Sequence, residues 1–205
     1  MSKHIITISR SYGSGGRQVA KALSRDMGIH YYDKELMTMV SMEHGINMAI
    51  VSNADEKHEE SRFKKYTSQE IESPSSKKYL SKENIFNMTA GIIKDIAEKD
   101  ESCVIVGRCA HFVLKDHPDV VRLFIHAEYD DLIANAIKYD GCDREEAIRR
   151  IEKINKERAA YHRYYTNHEW NDASCYDICL NTSKISIEKC VEVIKQYIEI
   201  LDSVK

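Results

Sequence analysis

The chain has 205 residues, of which 31% are charged and 42% hydrophobic, and it carries a formal net charge of −3 at pH 7. These proportions are ordinary for a soluble globular protein. The slightly negative charge argues against the basic surface of a nucleic-acid-binding domain. No apolar run approaches the roughly 20 residues that a membrane span needs, and the N-terminus shows no signal-peptide core. We therefore expect a cytoplasmic protein that binds neither nucleic acid nor membranes.

The first predicted elements are an apolar strand over about residues 4–9, a glycine-rich turn and a helix over about 17–27. Val19 and Leu23 have helical spacing, and Gly28 is placed to end the helix as a C-cap. The chain therefore begins with a strand, a flexible turn and a helix, which is the arrangement that commonly binds phosphate.

Asp33 follows a short predicted strand over 29–32 and precedes a predicted helix over about 34–43. The position suits either an N-cap or a functional carboxylate at the end of a strand, and both interpretations stay open. Residues 45–80 are polar and serine-rich with few hydrophobic residues. We predict loops and short helices there, mobile in the free protein.

The second half of the chain alternates buried strands with amphipathic helices. Ser81 is placed to cap the first of these helices, and residues 103–106 are apolar without alternation, as in a strand buried on both faces. The predicted elements are helix 82–99, strand 103–106, strand 120–125, helices 129–139 and 143–165, strand 176–180 and helix 186–201. Five strands alternating with helices predict an α/β fold with a doubly wound parallel sheet, in which ligands bind at the carboxyl ends of strands.

The segment from Gly13 to Gly16 contains three glycines in four residues, which lets backbone N–H groups approach an anion closely. It does not match the usual P-loop pattern G-x-x-x-x-G-K-[ST], because Gly16 stands at the lysine position and Arg17 follows it. Arg10 and Arg17 flank the turn and favour an anionic ligand. The alternative is a strand-to-helix turn without a ligand, in which Arg17 is a solvated residue of the first helical turn.

The predicted helix over 143–165 carries many charges, most of which can be explained as a solvated face with favourable pairs such as Glu145–Arg149. Arg158 and Arg163 have no glutamate four residues earlier. Arg158 also falls among apolar positions, where a cation without an anionic partner is costly. These two arginines therefore need an anionic partner from outside the helix.

The cysteines and histidines show none of the paired spacings typical of metal sites, so we expect reduced thiols and no metal-binding residues. Cys109 lies next to Arg108, and we expect it to have a packing role. The six cysteines are Cys103, Cys109, Cys142, Cys175, Cys179 and Cys190.

A series of segments, in chain order, resembles a known family. The segments are Ile8-Ser9-Arg10-Ser11-Tyr12-Gly13-Ser14-Gly15-Gly16-Arg17, Tyr31-Tyr32-Asp33-Lys34-Glu35-Leu36, Val104-Ile105-Val106-Gly107-Arg108, Arg158-Ala159-Ala160-Tyr161, Trp170-Asn171-Asp172 and Tyr176-Asp177-Ile178-Cys179-Leu180-Asn181-Thr182-Ser183. They resemble the cytidylate kinase-like proteins of the P-loop nucleoside monophosphate kinase fold. The resemblance implies one P-loop kinase-like domain over 1–205 with a three-layer α/β core. It also implies a helical acceptor-binding insertion at about 45–80 and a lid at about 143–168.

The resemblance implies phosphoryl transfer from ATP, with Mg²⁺, to a small acceptor such as the nucleoside monophosphate CMP. The residues implied in nucleotide binding are Ser11, Tyr12, Gly13, Ser14, Gly15, Gly16, Arg17, Gln18, Asn181 and Thr182. The residues implied in catalysis are Arg17, Asp33, Arg108, Arg158 and Arg163. Among these, Arg158 and Arg163 would be lid arginines that close over the phosphates. Arg17 would replace the charge of the absent lysine, since phosphoryl transfer needs a cation near the phosphate oxygens.

The remaining roles each have an alternative. Asp33 would contact the acceptor hydroxyl or the metal shell. Arg108 would clamp the acceptor phosphate with its guanidinium fork, unless it is an arginine of a surface loop. Asn181 and Thr182 would lie beside the adenine ring, unless they only begin the last helix. The absent lysine also leaves open a non-catalytic nucleotide-binding or regulatory protein on the same fold, and the oligomeric state is not predicted.

Overall fold

The computed structural model describes residues 2–57, 66, 70–99 and 101–204. Its centre is a sheet of five parallel strands in the order β2-β3-β1-β4-β5. The strands are β1 (Ile5–Arg10), β2 (His30–Tyr32), β3 (Cys103–Val106), β4 (Val120–His126) and β5 (Ile178–Asn181). The helices are α1 (Gly16–Met27), α2 (Glu35–His44), α3 (Met48–Ala54), α4 (Lys82–Glu98), α5 (Ala110–Val113), α6 (Tyr129–Asp140), α7 (Arg144–Thr166) and α8 (Ile187–Val204). The predicted α/β class and five-stranded parallel sheet are thus confirmed.

β1 is the central strand, and all of its residues are buried. Ile5 packs on one face of the sheet with residues of α2, α3, α4 and α5, while Ile6 and Ile8 pack on the other face with α1 and α8. Successive side chains of a strand point to opposite faces. A strand in a sheet that is covered by helices on both faces is therefore apolar at successive positions. The sheet with helices on each of its two faces forms the predicted three-layer arrangement.

α7 packs against two neighbours along its length. Ile151, in its first half, belongs to a buried cluster with Ile133 of α6. Tyr165, in its last turn, stacks on Phe86 of α4 with ring centroids 3.8 Å apart. α7 therefore connects α6 with α4, which lies on the α2–α5 face of the sheet.

Local signals account for several helix ends. Gly28 has a left-handed backbone with φ of 65°, and its N–H donates to the carbonyl of Ser24, as expected of a C-cap. The hydroxyl of Ser81 accepts from the N–H of Asn84 and caps α4. Asp143 caps α7 in the same way. Caps depend on a few adjacent residues, which explains why the sequence predicted those at Gly28 and Ser81.

Three local details differ from the expectations. Lys34 precedes α2 and no side chain caps that helix, so the N-cap interpretation of Asp33 is wrong. β5 begins at Ile178, two residues later than predicted, and a 3₁₀ turn over Ala173–Cys175 precedes it. α5 was not predicted, since four residues are too few to show an amphipathic period.

The predicted insertion at about 45–80 is described in part. It contains α3 and a series of turns before α4, in keeping with the predicted short helices and loops. Residues 58–65 and 67–69 lie outside the described residues, so the prediction for them stays untested. All six cysteines are free thiols. No helix in the described part of the chain combines the length and apolar character needed to cross a membrane.

Candidate active site

The glycine-rich segment forms a tight turn between β1 and α1. The N–H of Ser11 donates to the carbonyl of Ile125 on β4 at 3.0 Å, and the hydroxyl of Ser14 donates to the carbonyl of Ser11 at 2.8 Å. Gly13 has φ of +80°, and a Cβ there would lie 2.4 Å from the carbonyl oxygen of Leu132 on α6. Glycine is required at this position because the left-handed backbone and the close approach both disfavour a side chain.

α1 begins at this turn without a side-chain cap. Gly15 is the N-cap residue, and the amides of Gly13, Gly15 and Arg17 have no hydrogen-bond acceptor among the described residues. The N–H of Gly16 makes only a long contact, 3.3 Å, with the hydroxyl of Ser14. Free N–H groups and the partial positive charge of a helix N-terminus together suit an anion. The turn can therefore bind phosphate through its backbone.

Tyr12 and Gln18 line the cleft beside this turn together with Arg10. The N–H of Tyr12 donates to Oδ1 of Asn155 on α7 at 2.8 Å, and the Tyr12 hydroxyl donates to Asp140 on α6. The side chain of Tyr12 thus connects the turn to α6, while its amide is already engaged by α7. Tyr12 can therefore line a nucleotide site, but its backbone amide is not free to bind a phosphate.

The end of β5 and the residue that follows it lie next to the glycine turn. Oγ1 of Thr182 donates to the carbonyl of Ser14 at 2.8 Å and lies 3.1 Å from the carbonyl of His126. Oδ1 of Asn181 accepts from the N–H of Ser183 at 2.9 Å. Thr182 is therefore in contact with the candidate phosphate site, and the role of this segment in binding a base stays a prediction.

Asp33 lies between two arginines at the carboxyl ends of β2 and β3. Its Oδ2 is 2.8 Å from Nε of Arg17, and its Oδ1 is 3.4 Å from Nη1 of Arg108. The Tyr31 hydroxyl also donates to Oδ2, at 3.0 Å. Burial alone would raise the pKa of Asp33, but Arg17, Arg10 and Arg108 outweigh it and hold that pKa below its usual value. Asp33 is therefore an ionised acceptor at neutral pH.

Arg108 is buried, with 2% of its side chain exposed, so the interpretation as a surface-loop arginine is wrong. Its Nη2 donates to Oδ2 of Asp55 at 2.9 Å, and its Nη1 donates to the carbonyl of Val106 at 3.0 Å. The backbone of Arg108 has φ of 54°, which is uncommon for a residue with a side chain. Surrounding contacts hold this conformation and direct the guanidinium toward Asp33.

Glu56 joins the same group, although nothing in the sequence singled it out. Its carboxylate accepts from Arg10 at 2.6 and 3.0 Å, from Nε of Arg158 at 3.1 Å and from the backbone N–H of Arg108 at 3.0 Å. Burial would raise the pKa of Glu56, but Arg10 and Arg158 outweigh it and keep that pKa well below the usual range. Because the residue lies in a polar segment rich in charged side chains, no spacing distinguishes it.

The two arginines predicted to contact phosphate lie in different surroundings. Arg158 is buried beside Arg10, and its Nη1 donates to the Arg10 carbonyl at 3.1 Å. Burial and the Arg10 charge lower the pKa of Arg158 to about 10, so it stays protonated at neutral pH. Arg163 is exposed and donates to Oε2 of Glu169 at 2.5 Å. The structure brings Arg158 to the turn, whereas the predicted role of Arg163 stays untested.

The ionic cluster at the end of β1 has an excess of positive charge. Its members are the arginines Arg10, Arg17, Arg108 and Arg158 and the carboxylates Asp33, Asp55 and Glu56. Four cations against three anions leave one positive charge uncompensated within this cluster. The Nε atoms of Arg10 and Arg108 are buried and have no acceptor among the described residues. Both observations fit an anionic group such as the triphosphate of a nucleotide.

Two buried histidines lie beneath this cluster and join α5 to α7. Nε2 of His111 and Nε2 of His162 are 2.9 Å apart, Nδ1 of His111 lies 3.3 Å from the Ser9 hydroxyl, and Nδ1 of His162 lies 2.9 Å from the carbonyl of His168. A carbonyl can only accept, so Nδ1 of His162 carries the proton and its Nε2 accepts from His111. Nδ1 of His111 then accepts from Ser9. Two neutral rings satisfy the whole chain of hydrogen bonds.

Comparison with known proteins gives a family and a fold. The sequence profile of the cytidylate kinase-like family matches residues 5–184. A cytidylate kinase of Pyrococcus horikoshii is 26% identical over 206 residues, which cover 98% of this chain and 92% of that protein.

Solved structures are similar over nearly the whole chain. An uncharacterized protein from Eubacterium ventriosum has a TM-score of 0.72 and 28% identity, covering 96% of this chain and 99% of that one. Shikimate kinase from Bacteroides thetaiotaomicron has a TM-score of 0.55 and 13% identity, covering 96% and 98% of the respective chains. The second likeness supports the α/β kinase fold and nothing finer.

Proposed function

The chain belongs to the cytidylate kinase-like family, and from this premise we propose that it transfers a phosphoryl group from ATP to a nucleoside monophosphate such as CMP. The observation that carries the proposal is the uncapped glycine turn at the start of α1, which opens onto a cleft lined by Arg10 and Arg158. Phosphoryl transfer depends mainly on positioning the phosphates and neutralising their charge. Backbone N–H groups and guanidinium groups supply both.

The nucleotide phosphates would bind at the turn, where the amides of Gly13, Gly15 and Arg17 are free. Arg17 would also supply the side-chain cation, since Gly16 stands where the motif has lysine. The Arg17 side chain is 40% exposed while it pairs with Asp33, so it can turn toward the triphosphate without leaving a buried site. Its planar fork can bind two phosphate oxygens at once.

The acceptor would bind beside Asp33 and Arg108, at the carboxyl ends of neighbouring strands. Asp33 is ionised and can accept a hydrogen bond from a sugar hydroxyl, which would orient the acceptor. Arg108 can contact the acceptor phosphate through the guanidinium that now pairs with Asp33 and Asp55. Binding at adjacent strands would bring donor and acceptor phosphates close together.

Mg²⁺ would enter with the nucleotide and would supply positive charge that neutralises the phosphate oxygens. Depending on the register of the alignment, the turn carries Arg17 or Gln18 at the position where the P-loop pattern has a hydroxyl ligand for this ion. Asp33 pairs with Arg17 and Arg108, which already neutralise it, and Asp140, which lines the cleft, already accepts from the Tyr12 hydroxyl. The residues at the turn therefore fit the triphosphate better than Mg²⁺. The positive charge that the protein itself supplies to the phosphates would come from its arginines.

Nucleotide binding requires the cleft to open. Its volume beside the turn is about 70 Å³, whereas small-molecule sites measure about 300–1,000 Å³. We propose that α7, inside the predicted lid at 143–168, moves away from the turn and returns. This helix carries Arg158 and contacts the turn through Asn155 and Tyr12. Its return would exclude water during transfer.

Nucleotide binding without phosphoryl transfer is the second candidate function. It is favoured by Gly16 at the lysine position and by the carboxylates that already neutralise most of the arginine charge. Such a protein would bind ATP at the turn and lack the cation that stabilises the transition state.

The test measures ADP formation from ATP and Mg²⁺ against a panel of nucleoside monophosphates, for wild type, Arg17→Ala and Arg25→Ala. Arg25 is an exposed arginine in the last turn of α1 and controls for loss of positive charge from the same helix. We expect turnover with one acceptor, a loss in kcat on the order of 10²–10³ for Arg17→Ala, and an unchanged rate for Arg25→Ala.

Three other outcomes decide between the candidates. An absence of ADP with every acceptor, while ATP still raises the Tm, would support the second function. Equal kcat values in Arg17→Ala and wild type would remove the role given to Arg17. Neither turnover nor stabilisation by ATP would contradict both functions.

A further inference from the structure

We propose that His168, Asp172 and Cys175 form a binding site for Zn²⁺. In the structure a ring nitrogen, a carboxylate oxygen and a thiol sulfur of these residues all lie within 4.8 Å of one another. Zn²⁺ is bound by these three ligand types, often with three protein ligands and one water. The spacing H-x₃-D-x₂-C matches none of the paired motifs, which explains why the sequence analysis predicted no metal site.

The chain around these residues is held in place by hydrogen bonds. The carbonyl of His168 accepts from Nδ1 of His162 at 2.9 Å, and the N–H of His168 donates to Oγ1 of Thr166 at 3.1 Å. The N–H of Cys175 donates to the carbonyl of Asp172 at 3.1 Å. The backbone positions of the three ligands are thus set before an ion arrives, which reduces the entropic cost of binding.

The carboxylate of Asp172 is oriented by its neighbour Ser174. Its Oδ1 accepts from the N–H of Ser174 at 2.9 Å and from the Ser174 hydroxyl at 2.7 Å. These hydrogen bonds lower the pKa of Asp172, so the group is ionised, and they leave Oδ2 for a metal ion. Carboxylates that bind metals in proteins are commonly held by such hydrogen bonds.

The site is accessible and needs only small side-chain rotations. His168 is exposed, and Asp172 and Cys175 are half-buried. Ligand atoms around a tetrahedral Zn²⁺ are about 3.3–3.8 Å apart for metal–ligand distances of about 2.0–2.3 Å. On binding, the Cys175 thiol loses its proton to solvent and its sulfur becomes a ligand. Because the thiol must lose this proton before it can bind the ion, affinity should fall as the pH falls.

A bound ion would stabilise the connection between α7 and β5. Trp170 lies within this connection, and its ring packs edge-on against Phe124 of β4 with centroids 5.4 Å apart. The hydroxyl of Tyr176 donates to the Trp170 carbonyl at 2.8 Å. Zn²⁺ would thus restrain the C-terminal end of the helix that carries Arg158, at a distance from the glycine turn.

The experiment titrates the metal-free chain of 205 residues with Co²⁺, which replaces Zn²⁺ and gives a near-ultraviolet charge-transfer band when a thiolate binds it. The variants are Cys175→Ser, His168→Ala and Asp172→Asn, and the matched control is Cys179→Ser. Cys179 is an exposed cysteine on β5 outside the cluster. Far-ultraviolet circular dichroism of each metal-free variant checks its fold, and no nucleotide is present, so the result is independent of the proposed kinase activity.

We expect one Co²⁺ per chain with a sulfur band that Zn²⁺ abolishes. The band should persist in Cys179→Ser and disappear in Cys175→Ser. The Kd for Co²⁺ should rise at least about tenfold in His168→Ala and in Asp172→Asn. These two variants test the proposal if Cys175→Ser does not fold. A wild-type protein without the band, or a band that survives in folded Cys175→Ser, would overturn the proposal.

Discussion

Glu56 and Arg10 form a bidentate ion pair between the segment that follows α3 and the end of β1, with N–O distances of 2.6 and 3.0 Å. The side chain of Arg10 is 4% exposed and that of Glu56 is 14% exposed. Arg158 of α7 contacts the same carboxylate at 3.1 Å. One carboxylate therefore joins three parts of the molecule beside the glycine turn, and its loss would leave buried cations without an anion.

Glu56→Gln should lower the free energy of unfolding by about 3–5 kcal/mol, because removal of one partner of a buried ion pair leaves an uncompensated charge. Glu169→Gln is the matched control, since it breaks the exposed pair with Arg163, for which about 0–1 kcal/mol is expected. Urea unfolding of both variants measures the difference. Equal losses in the two variants would show that the Glu56 pair does not stabilise the fold.

Gly13→Ala should impair both stability and ATP binding, because the added methyl meets the Leu132 carbonyl and the turn must shift. Gly141→Ala is the control: its φ is +65°, and a Cβ there meets nothing within 4 Å. The control should lose only about 1–2 kcal/mol, the cost of a left-handed alanine.

Thermal unfolding with and without ATP distinguishes these two glycine variants. ATP at 100 times its Kd would stabilise a binding-competent protein by about 2.7 kcal/mol. We expect the resulting rise in Tm for wild type and Gly141→Ala, and none for Gly13→Ala. A full ATP-dependent rise in Gly13→Ala would contradict phosphate binding at the turn.

The His111–His162 pair should make stability depend on pH. Burial lowers the pKa of His162 from 6.5 to about 4, and burial together with His162 lowers that of His111. The unfolded chain binds these protons at higher pH than the native chain, so stability is present above about pH 6.5 and is lost as the pH falls toward about 4.

Urea unfolding at several pH values between 7 and 4.5 measures this dependence. The slope of the unfolding free energy against pH should be smaller in His162→Gln than in wild type. His30→Gln, which replaces a half-exposed histidine, should keep the wild-type slope. A slope in His162→Gln equal to that of wild type would exclude the pair as its origin.

The elements of the fold were predictable because their signals are local. Gly28 ends α1 and Ser81 begins α4 through contacts within a few residues. The buried run in β3 indicated a parallel sheet, since both faces of such a sheet are covered. The short helix α5 escaped prediction because four residues show no period.

Most residues of the candidate site that the sequence indicated follow a strand. Asp33 and Arg108 lie at the ends of β2 and β3, and parallel strands bring such residues to one edge of the sheet. Arg163 shared with Arg158 the helix and the lack of a glutamate four residues earlier, yet the two side chains lie in different surroundings. A helical pattern assigns residues to the faces of a helix, but it does not specify which other residues each face packs against.

By itself the sequence determined the five strands, the long helices, the parallel sheet and the glycine-rich turn, because hydrophobic period, capping residues and glycine act over short stretches of chain. Only the tertiary structure decided which charges meet. Glu56 is 46 residues from Arg10 and 102 from Arg158, and such pairings depend on how separate elements pack. The same holds for His111 and His162, 51 residues apart, whose tautomers follow from neighbours that packing brings together.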